Sequence, residues 1–124
     1  MRDSLSKDFG LLDGQIYIIG REGDIYIENH IYLDFPSVSR RHAAMKIKNN
    51  RIYLCDLDST NGTYLIENDS LVPFKNGYVS PSQPIVIGRL KCTIRNLLTQ
   101  FGVHSVSKNT KSSSEDTLLM PPNQ

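Results

Sequence analysis

The chain has 124 residues, 39% of them hydrophobic and 22% charged, with a formal net charge of +1. That length suits one domain with a real core and is too short for two. So even a charge balance excludes a protein built mainly to coat nucleic acid, which declares itself by a strongly basic composition.

The opening MRDSLSKDFGLLDG scatters charges through its first residues and leaves no uninterrupted apolar run for a secretory signal. No stretch reaches the length needed to span a bilayer, so the expected location is cytoplasmic, or nuclear in a eukaryote. Residues 1–12 read as a loose arm whose Phe9, Leu11 and Leu12 can pack against a sheet edge. QIYII (15–19) is rich in β-branched and aromatic residues and ends at Gly20; DIYI (24–27) and HIYL (30–33) follow. In AAMKIK (43–48) Ala43, Met45 and Ile47 share one face while Lys46 and Lys48 share the other, the period of a strand covering a core on one side. NNR (49–51) signals a tight turn and IYLCDL (52–57) is the returning strand. The loop DSTNG (58–62) leads to a short strand TYLI (63–66), then a long polar loop. PIVI (84–87), Gly88 and KCTIRNLL (91–98) complete the strand series. No amphipathic helix and no internal repeat is expected. Cys55 and Cys92 sit in separate strand-like runs without close-spaced partners, as reduced core residues rather than zinc ligands or a disulfide framework. Short strands joined by Gly, Asn, Asp and Pro turns predict an all-β sandwich or barrel. The last segment, residues 100–124, has few apolar side chains to offset its ordering entropy and is expected to be a flexible tail.

Chemistry concentrates in SVSRRHAAM (37–45). Ser39 and His42 offer a nucleophile and a base, with Asp56 or Asp58 to orient the imidazole. No helix follows Ser39, however, and nothing marks an oxyanion hole, so catalysis is the weaker reading. His30, His42 and His104 lack the close spacing of most zinc sites, and no metal or other cofactor is expected. SRRH with Arg21, Arg89 and Lys91 supplies cations, but without the stacking ladder or recognition helix that nucleic acid requires. An anion cradle fits better. Gly20-Arg21, Ser39-Arg40 and Thr60-Asn61-Gly62 all lie at strand ends, which cluster at the ends of a small sandwich. Gathered at one end, Arg21 and Arg40 bring guanidinium groups, Ser39 and Thr60 hydroxyls, and Asn61 an amide. That mixture suits a phosphoryl group, whose oxygens accept several charge-assisted hydrogen bonds at once. Singly each spot is weak, since Asn-Gly is first of all a hairpin turn signal.

The ordered set IGR, NHIYLDFPSVSRRHAA, CDLDSTNGTYL and PIVIGRLKCTI resembles a forkhead-associated (FHA) domain over about residues 13–98. The resemblance implies a sandwich of two twisted sheets with about eleven strands and binding loops at one end, filling residues 13–99. It implies a non-enzymatic module that binds phosphothreonine peptides. By position, Arg21 resembles the arginine that pairs with the phosphate, Ser39 the hydroxyl donor, and Arg40 the next contact. Thr60 and Asn61 resemble the loop that holds the phosphothreonine and its peptide backbone. Gly20, His42 and Gly62 fall at supporting positions, and Arg41 matches no contact. Two departures, EGDIYIE after Arg21 and YVSPSQ before PIVIG, bear on peptide selectivity. The implied partner is a phosphothreonine-containing protein and, indirectly, a Ser/Thr kinase, with no nucleic acid or membrane partner. The rival is a constitutive scaffold with an unused phosphate pocket. The expected state is a monomer unless the tail is itself phosphorylated, with Thr117 in SSSEDTLLM as the candidate regulatory site and Thr110 beside it.

Overall fold

The computed structural model describes residues 4–21 and 29–104. The DIYI run and the tail threonines, Thr110 and Thr117, lie outside the described residues. Among the described residues nine strands form two sheets: β1 (Ile16–Gly20), β2 (Asn29–Tyr32), β3 (Ala43–Lys48), β4 (Arg51–Asp56), β5 (Thr63–Glu67), β6 (Ser70–Pro73), β7 (Asn76–Val79), β8 (Ile85–Ile87) and β9 (Leu90–Cys92). One sheet has the order β2-β1-β3-β4-β7 and the other β6-β5-β8-β9.

The alternation in β3 works as expected. Ala43, Met45 and Ile47 are buried, while Lys46 and Lys48 face water. Their antiparallel neighbours Leu54 and Ile52 on β4 point to the same core. Asn49 and Asn50 close this hairpin with φ values of 52° and 62°, the left-handed pair that a two-residue turn matched to strand twist requires and that asparagine tolerates. Tyr17, Ile19, Ile31 and Val79 of the first sheet, with Leu33 just beyond β2, join Ile85 and Ile87 of the second in one buried core. A core of this kind, close-packed between two sheets, fixes which ends of the strands lie together.

Three expectations are corrected. The long polar loop after residue 66 is instead the strands β6 and β7, because Asn68 and Asp69 form a second left-handed two-residue turn, with φ values of 51° and 64°. KCTIRNLL is not one strand. It pairs through Cys92, then Thr93 caps a helix, α2 (Ile94–Gln100), its hydroxyl accepting the Asn96 N–H at 3.0 Å. Ile94 and Leu97, three residues apart, are the buried face of that helix. The first segment carries a helix too, α1 (Leu5–Phe9), capped by Ser4 and stopped at Gly10 in the left-handed region. Leu5 and Leu11 are buried and Phe9 is half-buried, whereas Leu12 faces solvent. The Leu5 N–H donates to Asn50 Oδ1 at 2.7 Å, tying this segment to the β3–β4 turn. Packing also continues beyond residue 99, where Phe101 meets Phe35 edge-on and His104 pairs its backbone with His30. Among the described residues no helix is long and apolar enough to cross a membrane.

Candidate functional site

Register places the candidate residues. Ile19 near the end of β1 pairs with Ala43 at the start of β3, and Ala43 pairs with Asp56 at the end of β4. Thr63, at the start of β5 in the other sheet, donates its hydroxyl to Asp56 Oδ1 at 2.7 Å. Arg21, the 34–42 loop and the 57–62 loop therefore leave the sandwich at one pole.

Asp56 organises the 57–62 loop. Its carboxylate accepts the Ser59 and Thr63 hydroxyls and the Ser59 N–H, and the Ser59 oxygen accepts the Gly62 N–H at 3.0 Å. Burial pushes this carboxyl's pKa up, but the hydrogen bonds from Ser59 and Thr63 outweigh it and hold the pKa below the ordinary 3.8.

His42, fully buried, joins the two loops. The Ser39 N–H donates to Nδ1 at 3.0 Å, so the ring proton sits on Nε2, which donates to the Gly62 carbonyl at 2.8 Å. Both ring nitrogens are thus engaged with backbone groups, and neither is aimed at the Ser39 hydroxyl. The catalytic dyad is not assembled.

That hydroxyl has another partner. Ser39 Oγ accepts the Thr60 N–H at 2.9 Å, which fixes the oxygen and leaves its own proton to be donated elsewhere. Arg21 is braced beside it. Its backbone N–H donates to the Ser39 carbonyl at 3.0 Å and its Nε to the Val38 carbonyl at 3.0 Å. Asn61 donates its side-chain amide to the Ser37 carbonyl at 2.9 Å, which leaves its Oδ1 as an acceptor for a ligand N–H. Arg40 is exposed in the same loop. Gly20 is buried so tightly that a Cβ would collide with the Arg40 carbonyl, while Gly62 has a φ of 85° that side-chain-bearing residues avoid.

A family model for the FHA domain matches residues 17–88, more than half of the chain. The chain belongs to the FHA domain family. FHA domains bind phosphothreonine, and this one is a phosphopeptide-binding interaction module. It is 33% identical over 81 residues to the glycogen accumulation regulator GarA of Mycobacterium tuberculosis, a match covering 65% of this chain and 45% of that relative's length. The FhaA FHA domain, solved in complex with the intracellular domain of Rv3910, is 30% identical with a TM-score of 0.50, covering 65% of this chain and 80% of that one. An FHA structure solved in work on phosphothreonine-dependent FHA interactions is 29% identical with a TM-score of 0.52, covering 67% and 77%.

Sequence reasoning missed part of this FHA pole. Ser37 holds the β8–β9 turn, its Oγ accepting the Arg89 N–H at 3.0 Å, while the Gly88 N–H donates to the Gly62 carbonyl at 3.0 Å. Gly88 faces the Ser37 carbonyl so closely that a Cβ would collide with it. Phe35, Pro36, Ser37, Asn61, Arg89 and Leu90 line a cavity of about 490 Å³ that continues from Asn61. Arg89 carried a weak signal, as a cation directly after a strand-end glycine. Phe35, Pro36 and Leu90 carried none, because their juxtaposition depends on the second sheet folding over the first.

Proposed function

We propose that this FHA domain docks phosphothreonine-bearing partner proteins in kinase-dependent signalling, without enzymatic activity of its own. The proposed contacts are Arg21, Ser39, Arg40, Thr60 and Asn61, with Gly20, His42 and Gly62 holding their loops. The observation that carries the reading is the Ser39 hydroxyl, pinned as an acceptor by Thr60 N–H beside an arginine braced on Val38. A hydroxyl proton with a fixed oxygen next to a guanidinium is a donor pair preorganised for an oxyanion. The likeness to GarA, a glycogen accumulation regulator, supports a regulatory role for the docking.

The γ-methyl of threonine limits side-chain rotation and adds somewhat under about 1 kcal/mol of apolar burial, so phosphothreonine should bind more tightly than phosphoserine. The test is a titration with matched phosphothreonine, phosphoserine and unmodified peptides against the wild type and Arg21→Ala. Losing a charged hydrogen bond costs about 1.5–3 kcal/mol, so the folded variant should bind roughly tenfold to hundredfold more weakly. Equal binding by wild type and folded variant removes Arg21 from the site.

A further inference from the structure

The outer face of the second sheet carries an apolar patch. Register puts Tyr64 opposite Pro73 and Val86, and Ile66 opposite Leu71, and cross-strand partners share a face. Their neighbours along the strands, Leu65, Ile85 and Ile87, pack into the core, so these five turn the other way. Leu71 is 58% exposed, Pro73 is exposed, and Tyr64, Ile66 and Val86 are half-buried. The Tyr64 phenol rests against Gly62, in space that a Cβ there would fill. Lys91, opposite Val86, adds an exposed cation on the edge strand β9.

The size of the patch limits what can cover it. Three strands about 4.8 Å apart, contributing side chains over roughly 7–10 Å of length, give on the order of 100 Å², far below the ~800 Å² per partner of a stable interface. A second copy or a freely diffusing partner has too little to hold. A tethered segment escapes that limit, because its effective concentration is on the order of millimolar when the tether spans the distance. The chain beyond His104 supplies one. Its only run of consecutive aliphatic residues is Leu118, Leu119 and Met120, followed by two prolines. His104 sits against β2, the edge of the first sheet. With sheets about 10 Å and strands about 4.8 Å apart, the patch lies on the order of 25 Å from there. Leu118 follows 14 residues after His104, a contour of at most roughly 48 Å. Charge agrees with this placement. With Leu118 on Val86, an extended chain puts Asp116 about 7 Å back, within reach of Lys91 one strand away.

We propose that in the unphosphorylated chain Leu118, Leu119 and Met120 dock on this outer face of the second sheet, within one molecule, with Asp116 directed at Lys91. The docked segment covers Val86, Tyr64, Ile66 and Leu71, the side chains that the sandwich itself leaves in water. This docking needs no phosphate and stands apart from the phosphothreonine reading.

The test compares nitrogen–proton spectra of the unphosphorylated full chain with those of the same chain carrying Leu118→Asp and Leu119→Asp. The Tyr64, Ile66, Leu71 and Val86 amides should shift between the two, by the same amount in dilute and concentrated samples. A synthetic peptide of residues 112–124, added to the variant at millimolar concentration, should return these amides toward their wild-type positions. From the other side, Leu71→Asp in the full chain should let a chymotrypsin-like protease cleave after Leu118 and Leu119 at least about threefold faster, since cleavage follows the undocked population. Leu71 is exposed, and if that variant misfolds, the tail variant and the added peptide still decide the matter. Amides that the tail variant leaves unmoved, or cleavage unaltered in a folded Leu71→Asp protein, overturn the proposal. Shifts that grow with protein concentration overturn it as well, and assign the face to a second copy of the chain.

Discussion

Asp56 and His42 show how much the shape of the proposed binding loops depends on side chains buried beneath them. His42 spans Ser39 and Gly62, and Asp56 fixes Ser59, which in turn fixes Gly62. Both poise the loops rather than form their surface. The Asp56 carboxyl has a lower pKa folded than unfolded, despite burial, because the Ser59 and Thr63 donors prefer its ionised form. The stability it contributes is therefore present above the ordinary value of 3.8 and is lost as pH falls through the folded pKa. Asp56→Asn should lower stability at neutral pH, by roughly 1–3 kcal/mol for disrupted charged hydrogen bonds, and the gap to wild type should narrow on acidification below about pH 4. Denaturant melts across that range check it, and a constant gap would show that the ionised carboxylate is not what stabilises the loop. In the sequence Asp56 stood out only as a partner for a catalytic histidine. Its actual role depends on Ser59 three residues on and Thr63 across the sandwich, a distance that spacing does not reveal. Cys92 is a simpler case: burial pushes its thiol up to about 12, in keeping with its reading as a core residue.

Elements were legible where one periodicity dominated and illegible where two met. β3 and β4 show alternation and an Asn-Asn turn, and both pairs of signals agree. At KCTIRNLL the strand period runs into a helical one with no glycine or proline between them. The only mark of the change is Thr93, whose extended backbone and hydroxyl cap α2. β6 was hidden for a different reason. All four of its residues are exposed, so no buried face announces it; its Asn68-Asp69 turn was the available clue. The helix matters to the site indirectly. It seats Ile94 and Leu97 in the core behind β9 and the β8–β9 turn that carries Arg89. Thr93→Ala should cost about 1 kcal/mol by uncapping α2. At the other end of β9, Arg89→Glu places an acid at the mouth of the Phe35–Leu90 cavity. It should leave the melting temperature nearly unchanged yet weaken phosphopeptides that carry an acidic residue beyond the phosphothreonine, while sparing those with a basic one. A pair of peptides differing only in that charge decides it, and identical discrimination by both proteins would separate this cavity from peptide selection.

At the scale of the whole molecule the question is what the site meets first. His104 pairs with His30 on the edge strand β2, whose Tyr32 lies beside Gly20 at the pole of the proposed pocket. The chain beyond His104 therefore sets out from within a few residues of the proposed pocket. Thr117 follows 13 residues later, within a contour of at most roughly 45 Å, so its reach covers the pocket of its own molecule and of a neighbour. Glu115 and Asp116 precede it and Leu118 and Leu119 follow, a context that would suit a kinase favouring acidic sites. A phosphothreonine tethered in this way competes at an effective concentration on the order of millimolar. Docked within one molecule it would close the pocket to partners; docked between molecules it would build dimers or chains. The full chain, phosphorylated at Thr117, should then bind an external phosphothreonine peptide at least about tenfold more weakly than a version ending at residue 104. Restoring the loss by Thr117→Ala ties it to that residue, and light scattering on the same samples separates the closed monomer from the assembled form. If the phosphorylated chain and the shortened one bind equally and both stay monomeric, the tail exerts no control over the pocket.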